Sequence, residues 1–152
     1  MMLRTHLVIS LFFILLLLPN VSHQISFVLI TLIATYLPDI DSRFSSIGRR
    51  RLSRILQFFT RHRGVIHSFT FLIFITLILV FFFPIIALPF FLGYGLHLMA
   101  DSFTVDGITP FWPYRSKSRG DIRTGEGSEK IALVGFILGC LILLILRISV
   151  MV

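Results

Sequence analysis

The fold is decided by the stretch from Val65 to Asp101, VIHSFTFLIFITLILVFFFPIIALPFFLGYGLHLMAD. Its first part, Val65 to Phe83, is about 19 residues of mainly apolar character, which at about 1.5 Å per helical residue approaches the ~30 Å thickness of a hydrocarbon layer. Pro84 starts a turn that Pro89 is expected to close, and a second apolar run continues to Ala100. This pattern predicts two membrane-spanning helices joined by a tight connection.

Three further apolar runs flank this pair. Leu7 to Leu18 and Ile25 to Leu37 are short, so they predict either a tight transmembrane hairpin or a re-entrant pair, and a last span runs from Ile131 to about Leu146. A cleaved signal peptide is the competing interpretation of the first run, although no small-x-small cleavage site follows it convincingly. We therefore expect an all-α, polytopic membrane bundle of about four or five hydrophobic helices, forming a single domain over residues 1–152.

The composition excludes an ordinary soluble domain. Of the 152 residues, 56% are hydrophobic and 14% are charged, against about 25% charged in a typical globular domain. The mean hydropathy is +0.95. A disulfide scaffold is also excluded, because the single cysteine, Cys140, has no intrachain partner.

The basic residues are concentrated between the apolar runs and give a net charge of +7. Arginines crowd residues 43–63, and a second basic stretch covers residues 115–130. Clustered arginine between hydrophobic spans usually marks cytoplasmic loops, so nucleic acid is not an expected partner. The pattern predicts residues 42–64 and 113–130 in the cytoplasm, in a multi-pass protein of the cytoplasmic (inner) membrane.

With this topology, histidines and acids from five separate segments fall at the cytoplasmic membrane face. His97 and Asp101 lie four residues apart, so they share one helix face. Asp39 and Asp41 are expected in a short extended segment after Pro38. The residues predicted to meet at this face are His6, Asp39, Asp41, His62, His67, His97, Asp101 and Glu129.

Imidazole interleaved with carboxylate predicts a metal site. Neutral imidazole nitrogen and carboxylate oxygen suit Zn²⁺, with Mn²⁺ or Fe²⁺ as alternatives. So many potential ligands could hold one or more ions. Ionisable residues at membrane segments are costly and usually mark function.

These residues also resemble a known family in successive blocks: Thr5-His6, Leu37-Pro38-Asp39-Ile40-Asp41-Ser42, the segment HRGVIHS over 62–68, and the segment GYGLHLMADSFT over 93–104. The blocks are similar to those of the YdjM-like family. The resemblance implies an inner-membrane location and metal-dependent hydrolase activity. The metal-site candidates it implies are His6, Asp39, Asp41, His62, His67, His97 and Asp101, with Ser68, Thr104 and Glu129 as weaker members.

In a hydrolase of this kind, Asp39 or Asp41 is expected to serve as general base. Arg61 and Arg63 are expected to hold an anionic phosphate. The interfacial position favours a phosphoester or lipid-linked substrate that diffuses in the bilayer. Two alternatives remain open, a cation transporter or channel and a non-catalytic metal-binding membrane protein.

Overall fold

The computed structural model describes residues 1–44, 63–114 and 116–151, and the described part is built from helices. Five of the helices are long and one is a single turn. They are α1 (Leu3–Leu17), α2 (Gln24–Phe44), α3 (Arg63–Ile66), α4 (Phe69–Phe82), α5 (Pro84–Ser102) and α6 (Gly127–Met151), with a 3₁₀ turn (Leu18–Asn20) after α1. The prediction of an all-α architecture is confirmed.

Three segments are long and apolar enough to cross a membrane: Leu3–Asn20, Pro84–Ser102 and Gly127–Ser149. Two shorter apolar helices, Gln24–Asp39 and Phe69–Phe82, lie among them. Because α6 is almost entirely exposed within the protein while its hydropathy is the highest of the three, its surface requires an apolar surrounding. The helices therefore form a membrane bundle, as the composition predicts.

The most extensive helix pair in the bundle is α2 with α5. Gly93 permits this close approach, because a Cβ added there would lie 2.2 Å from the main-chain oxygen of Thr31. The buried cluster around the pair includes Ala34, Phe90 and Leu98. Helix α4 packs on the other side of α5, while α1 contacts α2, α5 and α6. Helix α5 is therefore the central element, packed against α1, α2 and α4, and α6 joins the bundle through α1.

Three local predictions were wrong. The run Val65 to Phe83 is interrupted, because the Ser68 hydroxyl accepts a hydrogen bond from the Phe71 amide (3.2 Å) and begins a new helix, α4. Pro89 lies inside α5 and does not close the turn; Pro84 alone starts the helix, in the first turn where a missing N–H costs nothing.

The third wrong prediction concerns the segment after Pro38. It is helical and not extended, since α2 continues through Pro38 to Phe44. The helix accommodates the proline although it removes one main-chain hydrogen bond.

The connection between α5 and α6, residues 103–126, folds back on itself through two isolated bridges, Thr104 with Ile122 and Ile108 with Ser118. Gly107 has a φ of 64° and lies against the main chain of Ser118. A hydrogen bond from the Phe69 amide to the Pro110 oxygen (2.8 Å) ties this connection to the start of α4. The connection thus covers the end of the bundle at which α5 ends and α6 begins.

Candidate metal centre

Five of the predicted side chains come together at this end of the bundle. His6 lies on α1, Asp39 on α2, His67 just before α4, and His97 and Asp101 on α5. They form two overlapping groups, His6 with Asp39 and His97, and His67 with His97 and Asp101. Within each group the candidate ligand atoms lie within 4.8 Å of one another. His97 belongs to both groups and is the centre of the cluster.

The hydrogen bond made by His97 fixes its tautomer. Its Nδ1 lies 2.9 Å from the main-chain oxygen of Thr35. A carbonyl oxygen can only accept, so Nδ1 carries the hydrogen and the lone pair of the neutral ring is on Nε2. That Nε2 atom lies 3.4 Å from Asp101 Oδ2 and 3.8 Å from Asp39 Oδ1. A histidine oriented through one nitrogen, with the other directed at carboxylates, is the usual arrangement of a metal ligand.

Asp101 is shared by several partners. Its Oδ1 accepts from the amino group of Met1 at 2.6 Å and lies 3.2 Å from His6 Nε2. Its Oδ2 faces His97, one helical turn earlier. Both carboxylate oxygens are therefore directed into the cluster, as the spacing of His97 and Asp101 predicts.

The imidazole rings are buried together. His6 and His97 are 1% and 0% exposed, and their rings stack with centroids 4.0 Å apart and planes inclined by 12°. His67 is half-buried, and its ring centroid lies 6.0 Å from that of His97. Among the described residues, neither ring nitrogen of His6 nor Nε2 of His97 makes a hydrogen bond. Buried polar atoms in native proteins nearly always have a partner, so these three nitrogens require one.

A divalent cation would partner the two Nε2 atoms, those of His6 and His97, which both lie beside the Asp101 carboxylate. Two ligands that each lie about 2.0 to 2.2 Å from one tetrahedral zinc ion are about 3.3 to 3.6 Å apart. The separations from His97 Nε2 to Asp101 and from His6 Nε2 to Asp101, 3.4 and 3.2 Å, are close to that range. Both separations exceed the length of a strong charge-assisted hydrogen bond, which is about 2.7 to 2.9 Å. The donor set, nitrogen and carboxylate oxygen, suits zinc, manganese or iron.

A polar cavity of about 650 Å³ opens beside the cluster. Asp39, His67 and Asp101 line it on the helix side, and Asp106 and Lys117 line it from the connection between α5 and α6. Its walls thus carry three carboxylates and two cationic groups, the Lys117 ammonium and the Met1 amino group that is bonded to Asp101.

The three weaker candidates have structural contacts. Glu129 is 2% exposed and accepts from the Met2 amide (2.7 Å), the Thr5 hydroxyl (2.6 Å) and the Gly125 amide (2.6 Å). Thr104 donates to the Asp101 main-chain oxygen at 2.7 Å, and Ser68 begins α4 as described above. Glu129 thus fixes the start of α1, the helix that carries His6.

Some predicted residues lie outside the described part of the chain. These are Arg61 and His62, together with the side chains of Asp41 and Arg63, whose backbones belong to α2 and α3. Sequence reasoning missed Thr35 and Lys117. A threonine four residues before Asp39 in an apolar run, on the same helix face, was an available signal for Thr35.

Comparison with known proteins supports one family. The family model described as YdjM inner membrane protein matches residues 1–151. The chain is also similar to the uncharacterized protein YvsG of Bacillus subtilis (strain 168), with 30% identity over 112 residues that cover 70% of each chain. No solved structure matches the chain. Because the family model covers the whole described sequence, the chain belongs to the YdjM inner membrane protein family.

Proposed function

We propose that this protein is a metal-dependent hydrolase of the inner membrane that acts on a phosphoester. The observation that carries the proposal is the arrangement around His97. A buried histidine with a fixed tautomer directs its free Nε2 at two carboxylates, and His6 and His67 lie against it. Such a cluster has a high cost inside a membrane bundle unless it binds a cation.

The residues proposed to hold the cation are His6, Asp39, His67, His97 and Asp101, with His62 and Asp41 as further candidates from the sequence. Zinc is the first choice, and manganese or iron are alternatives. Because His97 offers one lone pair to both groups, a second ion would also need ligands from His62 or Asp41. When bound, a divalent cation would polarise the phosphoryl oxygen and lower the pKa of water from 15.7 towards about 7.

The protein's own residues supply proton transfer and substrate binding in this proposal. Asp39 is 27% exposed against 16% for Asp101, so it is the more accessible carboxylate at the cavity. It is therefore the better general base of the two, provided that the cation is held by the other ligands and Asp39 is not consumed as one. Asp41 remains the alternative base. Lys117, on the opposite wall of the cavity, is positioned to contact a phosphate oxygen, a role that the sequence also predicts for Arg61 and Arg63.

The proposed site faces the cytoplasm. The support is the charge distribution along the sequence. The basic stretch 42–64 lies between Asp39 and His67, and the basic stretch 113–130 follows Asp101. Positive loops are retained on the cytoplasmic side. A site at that interface is open to water for the nucleophile and to the bilayer for a lipid-linked substrate.

The test is a hydrolysis assay on protein purified in detergent, stripped with a chelator and resupplied with zinc, manganese or iron. The substrates are a phosphomonoester, a phosphodiester and a phospholipid in mixed micelles. We expect metal-dependent hydrolysis that is lost in Asp101→Asn, with Asp121→Asn as the control. Asp121 is an exposed acid in the connection between α5 and α6.

Stoichiometric metal without hydrolysis of any substrate would contradict the enzymatic proposal. In that case uptake of the same ions into vesicles separates the two alternatives. Transport supports the cation carrier, and its absence supports a non-catalytic metal-binding protein.

A further inference from the structure

A second cavity shares one lining residue, Met1, with the polar cavity. It measures about 150 Å³, and each of the residues around it is apolar. The walls are contributed by α1, α5 and α6, and include Ile9, Phe13, Leu96, Ala100, Ala132 and Phe136. We refer to this cavity as the apolar slot.

The apolar slot and the polar cavity are adjacent. Met1 lines both, and the consecutive residues Ala100 and Asp101 of α5 line the slot and the polar cavity respectively. The slot also extends away from the polar end. On α6 it is lined by Ala132 and Phe136, which are four residues and therefore about 6 Å apart along the helix, at 1.5 Å per residue.

This sequence of polar cavity, shared wall and apolar slot has the polarity profile of a lipid at the membrane interface. Met99 and Phe103, at the rim of the slot, are 50% and 53% exposed, so the slot is continuous with the lipid-facing surface. Its volume holds a short part of one hydrocarbon chain and not a whole chain. The rest of the chain would remain in the bilayer.

We infer that the apolar slot binds the head-proximal part of an acyl chain of a bilayer phospholipid whose phosphate lies in the polar cavity. The inference rests on the proposed function and names its substrate class. Lipid tails are as apolar as the slot, so transfer from the bilayer provides little hydrophobic driving force. The slot therefore acts by shape, orienting the phosphate towards the cluster around His97.

The experiment is photo-crosslinking in vesicles of phosphatidylethanolamine and phosphatidylglycerol that contain a phosphatidylglycerol probe. The probe carries a diazirine near the carbonyl end of one chain, and labelled residues are located by peptide mass spectrometry. Labelling should concentrate at Met99 and Phe136. Labelling spread evenly over the exposed residues of α6, such as Ile131 and Leu138, would overturn the inference.

Two substitutions on α6 form a matched pair. Ala132→Leu places a leucine side chain in the slot, whereas Gly135→Leu places one at an exposed position where a Cβ meets no described residue within 4 Å. Labelling at Met99 should fall about fivefold or more in Ala132→Leu, because overpacking at its lower limit of about 1 kcal/mol weakens binding by that factor. In Gly135→Leu the labelling should be unchanged. Equal labelling in the two variants would overturn the inference.

A third variant separates the inference from the proposed function. Labelling should persist in His97→Ala, because the slot does not depend on a metal. In the wild type, absence of hydrolysis with labelling retained would contradict only the proposed function. A probe with an isoprenoid chain on a phosphate is the final comparison, and labelling by that probe in place of the phospholipid would overturn the assignment to an acyl chain.

Discussion

Replacing Gly93 by alanine should weaken metal binding although Gly93 is not a ligand. The added Cβ would lie 2.2 Å from the Thr31 oxygen and 3.0 Å from the Thr35 amide nitrogen. Ordinary contact begins at 3.4 Å, so α2 and α5 must separate by about 1.2 Å, the difference from 2.2 Å, because both partners are main-chain atoms.

That separation acts directly on the cluster. Thr35 supplies the oxygen that orients His97, and Asp39, on the same helix, lies 3.8 Å from His97 Nε2. A full 1.2 Å displacement would bring this distance to about 5 Å, beyond the 4.8 Å that contains the group now. An overpacking cost of about 1–3 kcal/mol corresponds to roughly 5- to 150-fold weaker binding if it falls on the bound state.

The assay is retention of zinc per protein by mass spectrometry after dialysis against graded chelator, with thermal unfolding recorded in the same detergent. Gly95→Ala is the control, since its Cβ would meet only the Leu72 Cδ2 at 3.4 Å. We expect Gly95→Ala to retain zinc as the wild type does. Equal retention by Gly93→Ala, in a protein that remains folded, would refute the claim that the α2–α5 contact positions the ligands.

Three further predictions follow from single contacts. Glu129→Gln should lower the stability of the bundle by about 2 kcal/mol, because all three donors lose a charged acceptor and the new NH2 group cannot accept a hydrogen bond. Zinc stoichiometry should be unchanged at low temperature; loss of zinc without loss of stability would make Glu129 a ligand. Zinc retention should fall as the pH is lowered, since protons compete with the metal for the imidazole nitrogens, and retention that does not change on acidification would contradict histidine ligands. Gly107→Ala should raise proteolysis of the connection between α5 and α6, because its φ of 64° and the adjacent Ser118 main chain exclude a Cβ; an unchanged digestion pattern would contradict this.

Much of the architecture was predictable because lipid imposes a simple rule. Backbone polar groups must be satisfied within a segment, so long apolar runs become helices. The rule does not locate breaks inside an apolar run. The interruption at Ser68 depends on one side-chain hydrogen bond, and the helical path through Pro38 depends on packing against α5, neither of which hydropathy reports.

The meeting of His6, Asp39, His67, His97 and Asp101 was predictable from topology, since alternating spans return to the same face. Their exact partners were not. The orientation of His97 depends on the main-chain oxygen of Thr35, and a main-chain atom carries no residue-type signal. The sequence placed Glu129 among the weaker ligand candidates. Its hydrogen bonds from the start of α1 and from Gly125 instead hold these two segments together.

The most direct test of the central claim is metal content, measured by mass spectrometry on detergent-purified protein. The wild type is compared with His97→Ala and Asp101→Ala, and with His23→Ala, whose histidine precedes α2 at the opposite end of that helix from Asp39. The prediction is near-stoichiometric zinc, manganese or iron in the wild type and in His23→Ala, and loss of the metal in the other two variants. Folded wild type that binds none of these ions after each is supplied would contradict it.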